Sequence, residues 1–127
     1  MKQYYSDEVK DFIFTKENHK SQDKVPEETV KHDSGKPDMT LVDPDFMEGV
    51  AKVLMFGAKK YDRDNWRKGT KHSRVLAAAY RHLNKILKGE YYDEESGLPH
   101  LHHAATNLMF LDYYVRNNVG ESDIWKD

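Results

Sequence analysis

Three polar residues in the segment 99–117 are spaced for joint chemistry. His100, His103 and Asn107 recur at offsets of three and four residues, which places their side chains on one face of a helix. An imidazole titrates near neutrality, so His100 or His103 could position or deprotonate an attacking water. Asn107 could bind a substrate from the same face. Helix capping or packing against a neighbour would also suit these residues, and both interpretations stay open.

A further histidine, His82, borders the apolar face of the preceding predicted helix, with Arg81 beside it. His82, His100 and His103 form the predicted catalytic set, although a histidine at such a border is more often structural. Arg81 is a candidate substrate ligand, because a guanidinium binds phosphate oxygens through paired hydrogen bonds. His102 is offset from this face, and we expect it to be solvated.

Cations and aromatic rings alternate where the first predicted helix ends. Lys59 and Lys60 precede Tyr61, and Asn65 precedes Trp66. Cations bind phosphates and aromatic rings stack on bases, so we predict that these residues bind a nucleotide. The alternative is a solvated basic helix end, since the helix dipole favours cations at this terminus.

A second candidate anion site lies in the segment 32–38, which reads H-D-S-G-K-P-D. Its backbone N–H groups and the Lys36 ammonium suit an anion, so Lys36 is a further predicted substrate ligand. The glycine spacing of a P-loop is absent, and a plain surface turn is the alternative.

Two carboxylates are candidate metal ligands. Asp93 belongs to an acidic cluster in the loop 89–99, and Glu48 lies on the first predicted helix with Lys52 one turn later. Magnesium is bound by one or two carboxylates together with substrate phosphates. We therefore predict Glu48 and Asp93 as ligands of Mg²⁺ or Mn²⁺. A solvated acidic turn and a surface ion pair between Glu48 and Lys52 are the alternatives.

Helices must position these groups. The sequence predicts a short N-terminal helix over about 7–16 and three longer helices, which begin at Pro44, Arg74 and Pro99. Asp43 and Ser73 have the residue types of N-caps, and Gly89 is a typical stop for the second helix. Gly57 suggests that another backbone approaches the first helix closely. An apolar stripe on the third helix is expected to face the core, and it comprises Leu101, Ala104, Ala105, Leu108, Leu111 and Val115.

No segment shows a convincing strand alternation, so the predicted fold class is all-α. We expect a small bundle of three to four main helices with a long N-terminal extended segment. The predicted organisation is an N-terminal helix and linker, a helical nucleotide-binding domain and a short C-terminal tail, at 1–24, 25–117 and 118–127.

The composition limits the classes of partner. A net charge of −2 argues against a duplex nucleic-acid binder. No apolar run is long enough to cross a bilayer, and the N-terminus lacks the apolar region of a secretory signal. The absence of cysteine fits a reducing cytoplasm. Three helices form a thin core, so the apolar residues near both termini favour a homo-oligomer.

From about His32 to Tyr114 the sequence resembles a phage and bacterial family named for the dATP/dGTP diphosphohydrolase N-terminal domain. The matching blocks include A-A-Y-R-H-L and H-L-H-H-A-A-T-N-L-M-F-L. In chain order, the blocks lie at 33–38, 48–61, 65–69, 78–83, 89–97 and 100–111.

The resemblance implies an intracellular, often phage-encoded protein that converts purine deoxynucleoside triphosphates to monophosphate and pyrophosphate with a divalent metal. Such activity is similar to that of MazG-like all-α pyrophosphatases. Those enzymes use a paired-glutamate helix, whereas Glu48 has no second glutamate beside it. One hypothesis is therefore a metal-dependent pyrophosphohydrolase, with a metal site built differently from Glu48, Asp93 and the histidines. The other is a phage protein that sequesters a nucleotide or cyclic nucleotide without hydrolysis; a purely structural bundle is a weaker third.

Overall fold

A computed structural model describes residues 29–125 of the chain. The chain divides into two units, Met1–Pro37 and Asp38–Asp127. The described part of the first unit is exposed and holds one turn, closed by a hydrogen bond from the Lys36 N–H to the Asp33 carbonyl. The predicted N-terminal helix and linker lie outside the described residues.

The second unit is a bundle of three α-helices, as the sequence predicted. They are α1 (Pro44–Lys60), α2 (His72–Leu87) and α3 (His100–Asn117). Short 3-10 helices lie at Met39–Leu41 and Asn65–Lys68. The described residues contain no strand, only isolated bridges. None of the described helices has the length and apolar character needed to cross a membrane.

The helix ends follow local rules in part. Asp43 caps α1 through a hydrogen bond from the Asp45 N–H, with Pro44 in the first turn. Gly89 ends α2 with φ +86°, and its N–H donates to the Ile86 carbonyl, as in a Schellman motif. Ser73 is not an N-cap, because α2 already begins at His72.

The start of α2 is instead completed by the C-terminal segment. The His72 N–H donates to the Glu121 carbonyl at 2.9 Å. The Ser73 N–H and hydroxyl donate to the Asp123 carboxylate at 2.8 and 2.5 Å. Unpaired N–H groups in the first turn of a helix need such partners, and here they come from a distant part of the chain.

The buried face of α3 differs from the predicted stripe. Leu101, Leu108 and Val115 are 41, 47 and 62% exposed, whereas Ala104 and Tyr114 are buried. The face that packs against α2 and α1 is the one that carries the histidines. Hydrogen bonding makes this possible, since buried polar groups are tolerated once they are paired.

The contact between α1 and α3 corrects two expectations. His102 is not simply solvated: its ring lies edge-on to Phe46 at 5.2 Å between centroids and directly over Gly49. The close approach thus occurs at Gly49, where a side chain would collide with His102. Nothing lies within 4 Å of the position of a Cβ at Gly57.

Candidate functional site

The three predicted catalytic histidines meet where α2 packs against α3. His82 Nδ1 lies 2.8 Å from His100 Nδ1. The rings of His82 and His103 are stacked, with centroids 4.6 Å apart and planes at 8°. His100 and His103 are buried, and His82 is partly buried. Three imidazoles therefore come together, two from residues three apart on α3 and one from α2.

The loop between α2 and α3 adds a carboxylate to the histidines. Asp93 accepts hydrogen bonds at Oδ2 from the Ser96 N–H and hydroxyl, at 2.9 and 2.8 Å. The Ser96 hydroxyl also lies 2.7 Å from His103 Nε2. A bond from the Asp93 N–H to the Leu98 carbonyl closes the loop. Ser96 thus links the carboxylate to the imidazoles and holds both in place.

Burial sets the protonation of this cluster. Burial, together with the neighbouring His103 and His100, lowers the pKa of His82 to about 4. Burial also lowers the pKa of His103, although Asp93 opposes that shift. For Asp93, burial raises the pKa, but the hydrogen bonds from Ser96 outweigh it and the net pKa is below the ordinary value. At neutral pH, His82 and His103 are neutral bases beside an ionised carboxylate.

Three of these side chains could share a metal ion. One ligand atom from each of His82, Asp93 and His100 lies within 4.8 Å of the others. Two imidazole nitrogens and one carboxylate differ from the oxygen-rich, hydrated coordination that magnesium prefers. Glu48, the other predicted ligand, is not in this group: it pairs with Lys52 at 3.4 Å on the exposed side of α1. The residues that converge therefore do not fit a typical magnesium site.

A large cavity opens along α2. Its volume is about 610 Å³, within the range of small-molecule sites. Arg74, Ala77, Ala78 and Arg81 line it at offsets of three, four and seven residues, which is one face of a helix. Two guanidinium groups thus flank two small side chains that leave room between them. The opposite wall includes Asn65, Trp66, Gly69, Thr70 and Tyr114.

A smaller cavity of about 200 Å³ contacts the cluster from the side of α1. Lys52 and Lys59 line it together with Ser96. Phe56, another wall residue, places its ring edge-on to His103, with centroids 6.4 Å apart. Two lysines therefore lie on the side of the cluster that Ser96 occupies, and Arg81 of the large cavity directly precedes His82 in the sequence.

The other predicted substrate ligands are distributed more widely. Lys60 forms an ion pair with Glu95, and Tyr61 is 62% exposed at the end of α1. Trp66 already stacks on Phe110, with centroids 4.8 Å apart. The Asn107 amide donates to the His103 carbonyl within α3.

Sequence reasoning missed three contributors to this region. Ser96 had a local signal, since an Asp followed three residues later by Ser is typical of a side-chain-closed turn. Arg74 had a weaker one, its spacing of seven from Arg81. Tyr114 had none: its hydroxyl donates to the Trp66 carbonyl at 2.6 Å, across 48 residues of sequence.

The family described as "dATP/dGTP diphosphohydrolase, N-terminal" matches residues 26–124. The chain belongs to this family. The matched range includes the histidine cluster and both cavities. The chain is also similar to a protein of Salmonella phage PMBT28 named dATP/dGTP diphosphohydrolase, with 45% identity over 94 residues. These residues cover 74% of this chain and 32% of the relative, so the chain spans about a third of that protein's length. No solved structure matches.

Proposed function

We propose that the chain binds a purine deoxynucleoside triphosphate in the large cavity and hydrolyses it to the monophosphate and pyrophosphate. The observation that carries the proposal is the α2 face on which Arg74 and Arg81 flank Ala77 and Ala78. The name of the family and of its phage relative supports the choice of substrate. We further propose that the protein acts in the cytoplasm.

The cavity suits the two ends of a nucleotide. Guanidinium groups form bidentate hydrogen bonds with phosphate oxygens, and alanines between them let the phosphates approach the helix. On the opposite wall, Asn65 offers an amide, and Trp66, whose ring also contacts Phe110 and Arg67, lines the cavity as well. These are the groups that contact a purine base in our proposal. Lys36, Lys59, Lys60, Tyr61 and Asn107 remain predicted ligands without an assigned contact.

Hydrolysis adds water across the bond between the α and β phosphates, and the attacking water loses its proton. The histidine cluster, whose member His82 follows Arg81 in the sequence, supplies neutral imidazoles. In this proposal, one of the histidines orients the water or accepts its proton. A divalent metal, expected from the family to be magnesium or manganese, would stabilise charge on the phosphates.

A second candidate function is nucleotide binding without hydrolysis. It is favoured by the presence of a single carboxylate, Asp93, in the converging group of potential metal ligands among the described residues. The chain also spans only 32% of its phage relative, so the hydrolytic groups of that protein need not lie in the shared part.

One experiment separates the two candidates. The purified chain is incubated with dATP or dGTP, with and without Mg²⁺ or Mn²⁺, and products are resolved by ion-pair chromatography. Arg74→Ala and Arg81→Ala are each expected to weaken nucleotide binding about 10- to 100-fold, the value of a charged hydrogen bond. Arg116→Ala is the matched control, because Arg116 is exposed and pairs with Asp112. Formation of the monophosphate supports hydrolysis, whereas bound but intact nucleotide supports the second candidate. If all three variants bind the nucleotide equally well, the proposal that it binds in the large cavity is contradicted.

We also propose that the chain forms a homo-oligomer. Tyr80, Leu83 and Leu87 lie at offsets of three and four on α2 and are 65, 38 and 86% exposed. Contiguous apolar surface of this kind is typical of interfaces, and a net charge of −2 gives identical copies little repulsion. Light scattering after size exclusion is expected to show an oligomer that Leu83→Lys weakens; a monomer would contradict the proposal.

A further inference from the structure

We propose that His82, Asp93 and His100 form a binding site for a transition-metal ion of the zinc, cobalt and iron(II) class, in preference to magnesium. The inference deepens the proposed function, on which it rests for the role of the metal. The binding itself can be measured without any nucleotide.

The donor atoms carry the argument. Two imidazole nitrogens and one carboxylate oxygen lie within 4.8 Å of one another. Imidazole favours zinc, iron, copper and nickel, whereas carboxylate and water favour magnesium, calcium and manganese. Two histidines with one carboxylate are the protein ligands of several catalytic zinc sites and of non-haem iron(II) sites. The set found here thus fits the first group of ions.

The distance between the two imidazole nitrogens is also close to that expected for two nitrogens bound to one metal ion. His82 Nδ1 and His100 Nδ1 face each other at 2.8 Å. Two nitrogens that each lie about 2.1 Å from a metal are about 3.0 Å apart at a right angle and about 3.4 Å apart at a tetrahedral angle. If the two nitrogens moved apart by a few tenths of an ångström, an ion could therefore bind between them.

The surroundings hold the ligands as metal sites require. His82 and His100 project from two packed helices, and Asp93 is fixed by two hydrogen bonds from Ser96. Groups that orient a ligand in this way contribute strongly to metal affinity. His103 stacks on His82 and contacts Ser96, so it restricts the positions of one metal ligand and of the residue that holds Asp93.

Three protein ligands leave coordination positions for water or a substrate oxygen, which is typical of catalytic rather than structural sites. The smaller cavity, with Lys52 and Lys59, reaches Ser96 beside the site.

The test uses the full chain after removal of metal by a chelator. Cobalt(II) is added as a spectroscopic probe, and its visible absorption reports nitrogen and oxygen coordination. Calorimetry then compares Zn²⁺ with Mg²⁺. We expect a cobalt spectrum at one equivalent, displacement by Zn²⁺, and much weaker binding of Mg²⁺. Asp93→Asn and His100→Gln are expected to weaken zinc binding by more than about 100-fold, and Ser96→Ala by about 10- to 100-fold.

His102→Gln is the matched control, because His102 lies on the same helix but packs against Phe46. Circular dichroism of each metal-free variant verifies that it is folded. Equal loss of binding in the His102 variant, or no cobalt spectrum in the unmodified chain, would overturn the proposal and leave a hydrogen bond between His82 and His100. The nucleotide affinity of the Arg74 and Arg81 variants is measured separately, so a failed metal site and a failed nucleotide cavity give different results.

Discussion

Replacing Tyr114 by Phe should destabilise the protein through one buried hydrogen bond. Tyr114 is 2% exposed, and its hydroxyl donates to the Trp66 carbonyl at 2.6 Å. The substitution keeps the ring, which stacks near His72 at 5.9 Å, and leaves the carbonyl without this partner. This carbonyl still accepts a hydrogen bond from the Gly69 N–H, so the cost is that of one lost hydrogen bond, about 0.5–1.5 kcal/mol.

This cost can be expressed as a melting temperature. An unfolding entropy of about 2.1 cal/mol/K per residue gives about 0.27 kcal/mol/K for the 127 residues of the chain. The expected decrease in Tm is therefore about 2–6 °C. Because Trp66 and Tyr114 both line the large cavity, nucleotide affinity should fall as well.

Thermal unfolding followed by circular dichroism measures the effect. Tyr92→Phe is the control, since Tyr92 is 62% exposed and surface changes usually stay within about 0.5 kcal/mol. If the two variants melt at the same temperature, the hydroxyl of Tyr114 contributes nothing and the reasoning is refuted.

Three further predictions concern stability. Gly49→Ala should lower stability by about 1–3 kcal/mol, because its Cβ would collide with His102; denaturant titration checks this, and an unchanged midpoint would contradict the contact. Gly57→Ala should instead raise stability by about 0.5–1 kcal/mol, since the space around it is open; a loss of stability would show that Gly57 is approached closely after all. Hydrogen bonds from Ser73 lower the pKa of Asp123, so its contribution is present above the ordinary carboxyl pKa and is lost as the pH falls through the lowered value. The Tm of the unmodified chain should therefore fall more steeply below about pH 4 than that of Asp123→Asn, and parallel pH profiles would argue against this linkage.

Local signals predicted the three helices and several of their ends. Asp43 with Pro44 and the position of Gly89 are short-range features, and both behave as expected. The convergence of the histidines also followed from helical spacing, because His100 and His103 share a face and His82 borders the facing helix. These parts depend only on residues that are near in sequence or on one helical period.

The errors arose where tertiary packing decides. Leu101 and Leu108 looked like core residues by hydrophobicity, but the buried positions on α3 include Tyr114 and Thr106, whose hydroxyls find acceptors. A search for hydrophobic periodicity counts such hydroxyl-bearing residues as polar. The predicted buried face of α3 is therefore rotated relative to the face that is buried in the structure. Gly57 and Gly49 cannot be distinguished without knowing which side chain of another helix lies opposite.

The large cavity was beyond sequence analysis for a similar reason. Its walls come from the short 3-10 helix, from α2 and from Tyr114 of α3, which meet only after folding. The cations of α2 could be seen in the sequence, but the space between them depends on the distance to the opposite wall.

The dependence of α2 on the C-terminal segment bears on the order in which the chain acquires structure. Ser73 and Asp123 are separated by 50 residues, and the His72 N–H bonds to the carbonyl of Glu121, which is similarly distant in the sequence. During synthesis the first turn of α2 is made well before its hydrogen-bond partners, so its N–H groups remain bonded to water until α3 has been completed. The beginning of α2 is therefore among the last parts of the bundle to become protected, even though it is the middle helix in the chain.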